Sequence, residues 1–272
     1  MRSLSIELEQ HTIIDVSPMN PDELLDLARQ LVERGAQQGV TLRILGSLGI
    51  RGHIRDFRGV FDLLERVPTR DIDFMGYSSE QARADRMFKD LGYEPDPSVA
   101  YSLEYGIQRL IYHQRERQIM AEIFLDELKM AHTLDFRGRL EMDYPTISLV
   151  DLLLSKLQIQ QITEKDIKDM IALLAEHELG TDEREVVDVS YLLKIASKDW
   201  GLYHTAITNL TIVEQWVGRF KVLDAAVRQQ VAKKVYDLVQ QMETQPKSLR
   251  WRLRGVIGTR IRWYEEVGDV HR

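Results

Sequence analysis

Apolar residues recur along this chain with two periods, and the texture changes once. In the first half, helical stretches alternate with short runs of β-forming residues. "PDELLDLARQLVERGAQQG" places Leu24, Leu25, Ala28, Leu31 and Val32 on one face of a helix. Asn20 is suited to cap it, Pro21 to take its first position, and Asp22 and Glu23 to fill its first turn; Gly35 or Gly39 closes it. "VTLRIL" reads as a strand and "IRDFRGVFDLLERV" as a second helix stopped by Pro68. "DIDFMGY" reads as a second strand, and "SSEQARADRMFKDLGY" as a helix capped by Ser78 or Ser79 and ended by Gly92. "GIQRLIYHQRERQIMAEIFLDEL" predicts two strands joined by the charged turn Arg115-Glu116-Arg117. Beyond Pro145 the period is helical throughout, in "TISLVDLLLSKLQIQQI", "EKDIKDMIALLAEH", "REVVDVSYLLKIAS", "GLYHTAITNLTIVEQWVGRF" and "DAAVRQQVAKKVYDLVQQMET". The expected fold is α+β: a mixed sheet with flanking helices over residues 1–144, then a helical bundle over 145–272 with a basic C-terminal segment.

Composition narrows this picture only in places. There is no cysteine, so disulfides, thiolate metal sites and cysteine nucleophiles are excluded, and a reducing cytoplasm is the expected home. No apolar run is long enough to span a bilayer, and no membrane partner is expected. The start, "MRSLSIELEQ", carries charges where a signal peptide needs its apolar stretch. A net charge of −7 argues against bulk nucleic-acid binding while leaving room for a local basic face.

The chemistry concentrates on the predicted strands. Asp71 and Asp73 flank Ile72, and residues two apart on a strand share a face, so the two carboxylates are neighbours. Two like charges side by side call for a hard cation, and Mg²⁺ is typically held by one or two carboxylates plus substrate phosphates. A later strand, "AEIFLDEL", offers a third carboxylate. Glu122 and Asp126 stand four apart on one face, and either one fits: Asp126 at the strand end, Glu122 if the strand's centre is the functional point. An isolated Asp-x-Asp is more often a solvated acidic strand face. Here it follows Gly46-Ser47 at the end of an earlier strand, where a turn without bulky side chains permits either a tight reversal or the approach of backbone N–H groups to a phosphate. His53 reads as a surface helix residue and Arg70 as a structural ion-pair partner. His113 and His132 lack the spacing of zinc ligands.

"ILGSLGIRGH", "RVPTRDIDFM" and "AEIFLDELKM", in this order over residues 41–128, resemble the nucleotidyltransferase superfamily. "LVDLLLSKLQIQQITEKDIKDMIALL" is similar to the helical segment of its abortive-infection and type IV toxin-like branch, with Lys156, Lys165, Asp166 and Asp169 matching residue by residue. The stretch between Ser47 and Asp71 is longer than in the minimal branch of that superfamily. The resemblance implies a nucleotidyltransferase-type sheet and transfer of an NMP from an NTP to an RNA, protein or small-molecule acceptor. It implies Mg²⁺, or Mn²⁺, held by Asp71 and Asp73 with Asp126 or Glu122 as the third carboxylate. It also implies nucleotide phosphates bound by Gly46, Ser47, Lys156, Asp166 and Asp169, of which the last three suit an exposed ion-paired helix face equally well. Two other classes compete: a degenerate nucleotide-binding regulatory module, such as one half of a toxin–antitoxin or defence pair, and an interaction protein that keeps only the fold.

Residues 180–272 match no characterised module. Within them, "PKSLRWRLRGVIGTRIRWY" gathers Lys247, Arg250, Arg252, Arg254, Arg260 and Arg262 around Trp251, Trp263 and Tyr264. Such a run suits nucleic-acid backbone with stacked bases. The other reading is a cationic strand or helix clamped against the acidic site, with the alternation "RWRLR" and "RIRWY" giving one face to pack and one to pair, as in a partly buried strand.

Overall fold

The computed structural model describes residues 19–55, 64, 71–97, 109–182 and 185–266. The predicted helix over 54–67 falls outside these, apart from Ile54, Arg55 and Leu64. Helix α1 (Pro21–Gln37) begins at Asn20, whose side chain accepts from the N–H groups of Asp22 and Glu23 while Glu23 accepts from the Asn20 N–H. This is a reciprocal capping box that satisfies backbone donors at both its members. The chain then reverses at Gly39, at φ +68°, into strand β1 (Leu42–Ile44).

The Gly46-Ser47 turn expected after β1 is itself the first turn of a helix, α2 (Gly46–His53). Gly46 makes the reversal in one residue by adopting φ +68°, so no separate loop intervenes. Strand β2 (Asp71–Gly76), a short 3₁₀ turn (Ser78–Glu80) and helix α3 (Gln81–Asp90) follow, then β3 (Glu94–Pro95), β4 (Arg109–Gln114) and β5 (Ile119–Leu125). The five strands form one mixed sheet in the order β1-β2-β5-β4-β3, with β2 and β5 parallel at its centre and the other pairs antiparallel. Ile72, Phe74, Ala121, Ile123 and Tyr112 point to the back of the sheet, where they share a core with Leu24 and Leu25 of α1 and Met87 and Phe88 of α3. Tyr112 stacks on Phe88 at 4.6 Å.

A hairpin, β6 (Glu127–Lys129) and β7 (Thr133–Asp135), leads to the helical half. The joining segment is hydrogen-bonded along β1: the Ile44 N–H donates to the Pro145 carbonyl and the Ile147 N–H to the Ile44 carbonyl, at 3.0 and 3.1 Å. The helices are α4 (Leu149–Leu157), α5 (Glu164–Glu176), α6 (Val189–Ala196), α7 (Trp200–Val217), α8 (Ala225–Thr244) and α9 (Leu249–Ile257). Two short parallel strands, Leu179–Gly180 and Val187–Asp188, interrupt an otherwise helical run. Every residue of α4 is buried, which makes it the axis of this half. Its core reaches across to Leu45, Ile50 and Met75 of the sheet half, so residues on both sides of position 145 share one apolar interior.

Of the strand and the helix that the C-terminal segment left open, it forms the helix. Ser248 caps α9 by accepting from the Trp251 N–H, and Trp251 and Gly255, four apart, face α7. The aromatic residues, with Arg254 over the Trp200 ring, hold it down. Trp251 meets Tyr203 edge-on at 5.0 Å, and Trp263 packs on His204 and donates to Thr205. The Trp263 carbonyl lies 2.4 Å from where a Cβ on Gly201 would sit, so that glycine lets the chain cross α7. The segment ends against the β6–β7 hairpin, where the Glu265 N–H donates to the Ala131 carbonyl.

Gly49 governs how closely the halves meet. A Cβ there would lie 2.8 Å from Leu152 Cδ2 on α4 and 3.0 Å from the Ile44 carbonyl. Gly49→Ala is expected to cost about 1–3 kcal/mol as overpacking of a filled core. Urea denaturation checks this; an unchanged midpoint would show that α2 can move away from α4 freely.

Candidate functional site

The front of the sheet carries the acids. Asp73 on β2 pairs in register with Glu122 on β5, so their side chains rise next to each other from two parallel strands. Asp71 lies on the same face two residues earlier, exposed at the start of β2 and opposite Met120. Glu122 is 5% exposed. The third candidate, Asp126, sits just past the end of β5 at φ +62° and is engaged elsewhere. It accepts from the Ser78 N–H at 3.1 Å and from the Ser78 hydroxyl at 2.5 Å, which ties β5 to the turn after β2. Of the two residues that sequence left open, Glu122 is the one beside Asp73.

Gly46 completes the arrangement. A Cβ at this position would stand 2.8 Å from Asp73 Oδ2. Only glycine fits both that contact and the positive φ, so the start of α2 is held against the carboxylate. The first N–H groups of a helix have no acceptor within it, so Gly46 and Ser47 present donors next to the acids.

One residue at the site was not singled out from sequence. Arg109, at the start of β4, forms an ion pair with Glu122, and the charge of Asp73 also acts on it. Burial lowers the pKa of the Arg109 guanidinium, with Asp73 opposing the shift. Neither Arg109 Nε nor Glu122 Oε1 makes an aligned hydrogen bond. An arginine opening "RLIYHQ" resembles any strand residue in sequence; only the β4–β5 register brings it to the acids. Among the described residues, no group of three His, Cys, Asp or Glu side chains is gathered closely enough to hold a metal by itself.

Lys156, Asp166 and Asp169 do come together, but as an internal triad. The Lys156 ammonium lies 2.9 Å from Asp166 and 2.8 Å from Asp169, joining α4 to α5. Asp166 also accepts from the Thr163 N–H and hydroxyl at the start of α5. Burial works against the lysine's charge, but Asp169 and Asp166 outweigh it and raise its pKa. Burial likewise disfavours ionised Asp166, and Lys156 reverses that, holding its carboxyl below the ordinary range. A second buried pair, Arg139 with Asp151, locks the hairpin's exit to α4, and Arg139 also lies over the Tyr191 ring.

His53 is not a surface residue. Its Nε2 lies 2.5 Å from Thr146 Oγ1 and 3.4 Å from Asp143, and its ring meets His177 edge-on. Burial, and then the neighbouring His177, push its pKa down to about 4. His113 pairs with Asp96, and His132 lies within hydrogen-bond distance of Thr205. The C-terminal arginines do not reach the acids among the described residues: Arg254 donates to the carbonyls of Gly258 and Ile261 and lies over Trp200, and Arg262 pairs with Glu266.

Compared with protein-family models and with curated protein sequences, the chain gives no match. Among solved structures it is similar to the solution structure of the antibiotic-resistance factor ANT(2'')-Ia, at 12% identity and a TM-score of 0.38, over 65% of this chain and 96% of that one. A likeness that loose carries no argument about this chain, which its own geometry has to supply.

Two expectations follow. Lys156→Met removes the buried cation that Asp166 and Asp169 share, and should destabilise by about 3–5 kcal/mol in urea melts, as breaking one side of a buried pair does. A variant as stable as the parent would mean the carboxylates find solvent or another cation. The second concerns pH. His53 takes a proton in the unfolded chain near pH 6.5 but in the folded one only near pH 4, so its contribution is intact above the first value and lost as pH falls towards the second. His53→Gln should therefore narrow the gap between melting temperatures at about pH 7 and about pH 5; an equal gap in both proteins would assign acid sensitivity to other groups.

Proposed function

We propose that this chain is a nucleotidyltransferase that moves an NMP from an NTP to a hydroxyl or phosphate oxygen of an acceptor, with release of pyrophosphate. One observation carries the reading: Asp73, in register with Glu122 on a parallel strand, abuts a helix start that only glycine can bring so close. Carboxylates beside the start of a helix suit a ligand that is anionic and cation-bound at once, which describes a metal-bound triphosphate.

The donor set fits a hard cation. Asp73 and Glu122, with Asp71 at the mouth, would hold Mg²⁺ or Mn²⁺, and the substrate's phosphates would complete a shell that two or three carboxylates leave open. When bound, such an ion neutralises phosphate charge and lowers the pKa of an acceptor hydroxyl. The chain's own residues do the rest. Gly46 and Ser47 receive phosphate oxygens on N–H groups fixed by α2. Glu122, buried and in register beside Asp73, takes the role of third carboxylate, while Asp126 holds the Ser78 turn. Arg109 balances the acids and, on release from Glu122, faces the same phosphates. Lys156, Asp166 and Asp169 support the site from behind by fixing α4 to α5. Fixed donors and charges of this kind act by positioning and electrostatic stabilisation. The toxin-like subtype, an RNA or protein acceptor, and a cytoplasmic home belong to this reading. No helix among the described residues is long and apolar enough to cross a membrane.

Arg109 favours one second reading. A guanidinium already paired with Glu122 suits a module that binds nucleotide without turning it over. Incubation with each labelled NTP, Mg²⁺ and total cellular RNA or lysate separates the two. Labelled product that falls at least about 100-fold in Asp73→Asn, with unchanged melting, is expected of the transferase. Undiminished product in that variant would sink the site. Nucleotide binding without product, together with tighter Mn²⁺ binding in Arg109→Gln, would establish the degenerate module.

A further inference from the structure

Helix α9 is amphipathic in an unusual sense: its aromatic side faces the protein and its aliphatic side faces water. Trp251, Arg254 and Gly255 turn inward onto α7. Leu249, Leu253 and Val256 turn outward and are 72%, 61% and 79% exposed. Their spacing of four and then three residues forms a straight seam along the helix, of the kind that pairs helices. At 100° per residue, Arg250 and Arg252 fall on opposite sides of that seam, and both are exposed. Ile257 widens the stripe and Ile261 continues it beyond the helix, both exposed.

We infer that this face is a docking surface for an acidic amphipathic helix of another protein. The charge says so first. Arg250 and Arg252 flank the seam, and no acid lies between residues 245 and 264 of a chain of net −7. An occupant must bring negative charge to the flanks and apolar side chains to the seam. A second copy meeting the same face would set arginine against arginine. Nucleic acid would use the aromatic rings for stacking, but Trp251 and Trp263 are packed against Tyr203 and His204. An anionic bilayer would repel the acidic remainder across its whole plane, whereas a single helix touches only the seam. Exposed Leu, Val and Ile lined by arginine thus match the helix-in-groove mode, with carboxylates flanking the partner's apolar stripe.

The surface is independent of the catalytic reading: α9 packs on α7 and on the turn that follows it. The probe is a synthetic helical peptide of about three heptads, with Leu along its seam and Glu on both flanks, and a Lys-flanked copy as control. The full-length protein is titrated into each labelled peptide and anisotropy is followed. The Glu peptide should bind and the Lys peptide should not. Arg250→Glu with Arg252→Glu, and separately Leu253→Ser with Val256→Ser, should each weaken binding by about tenfold or more with unchanged melting, because all four side chains are exposed. Failure of the Glu peptide to bind, or equal binding of both peptides, overturns the inference. So does retention of the protein by phosphatidylglycerol vesicles or single-stranded RNA that exceeds the peptide's and is lost in the arginine variant, which would give the face to lipid or to nucleic acid.

Discussion

Asp73 and Glu122 stand side by side on adjacent strands, and the protein around them is arranged to make that tolerable. Two carboxylates at strand spacing repel, and burial makes the repulsion dearer. The structure answers with Arg109 from the neighbouring strand and with the N-terminal end of α2, which Gly46 brings against Asp73. Both answers depend on the sheet register. Shift β5 by one residue and Glu122 points into the back core, Arg109 loses its partner, and the helix start faces a lone aspartate. The order β1-β2-β5-β4-β3 is thus as much a condition of the site as any side chain.

The helical half keeps that register in place. Its central helix, α4, is buried on every side and leans on α2 at Gly49, while the residues leading into it run along β1. Several of its fixing points are charged and buried. Lys156 bridges two aspartates, Arg139 holds Asp151, and Lys234 on α8 donates to the Leu174 and His177 carbonyls at the end of α5 and to Glu178. Carbonyls at a helix C-terminus lack partners within the helix and gain from a nearby cation, so the lysine both neutralises and anchors. Pairs of this kind specify which helices meet, because a misplaced helix would strand a buried charge.

Much of this could be read from the residues in order. The cap at Asn20, the alternation in "DIDFMGY", the hairpin around Arg115-Glu116-Arg117 and the helical second half are local facts, set by hydrogen bonds within a few residues and by the period of apolar positions. One local reading failed for a local reason: Gly46-Ser47 read as a turn closing a strand because glycine usually ends elements, but here one positive φ lets it begin a helix. Between the strand and the helix left open for "RWRLR", Ser248 decides by capping a helix, in which Trp251 and Gly255 share a face.

The sequence by itself determined the element types, the placement of Asp71 and Asp73 on one strand face, and the concentration of cations near the C-terminus. Which carboxylate stands beside Asp73, which arginine answers it, and whether Lys156 faces a ligand or its own aspartates were decided only by the tertiary structure. The reason is physical. Strand pairing and helix docking join residues far apart in the chain, such as Asp73 with Glu122 or Lys156 with Asp169. A charge finds its partner through the register and packing of whole elements, which no short window of sequence contains.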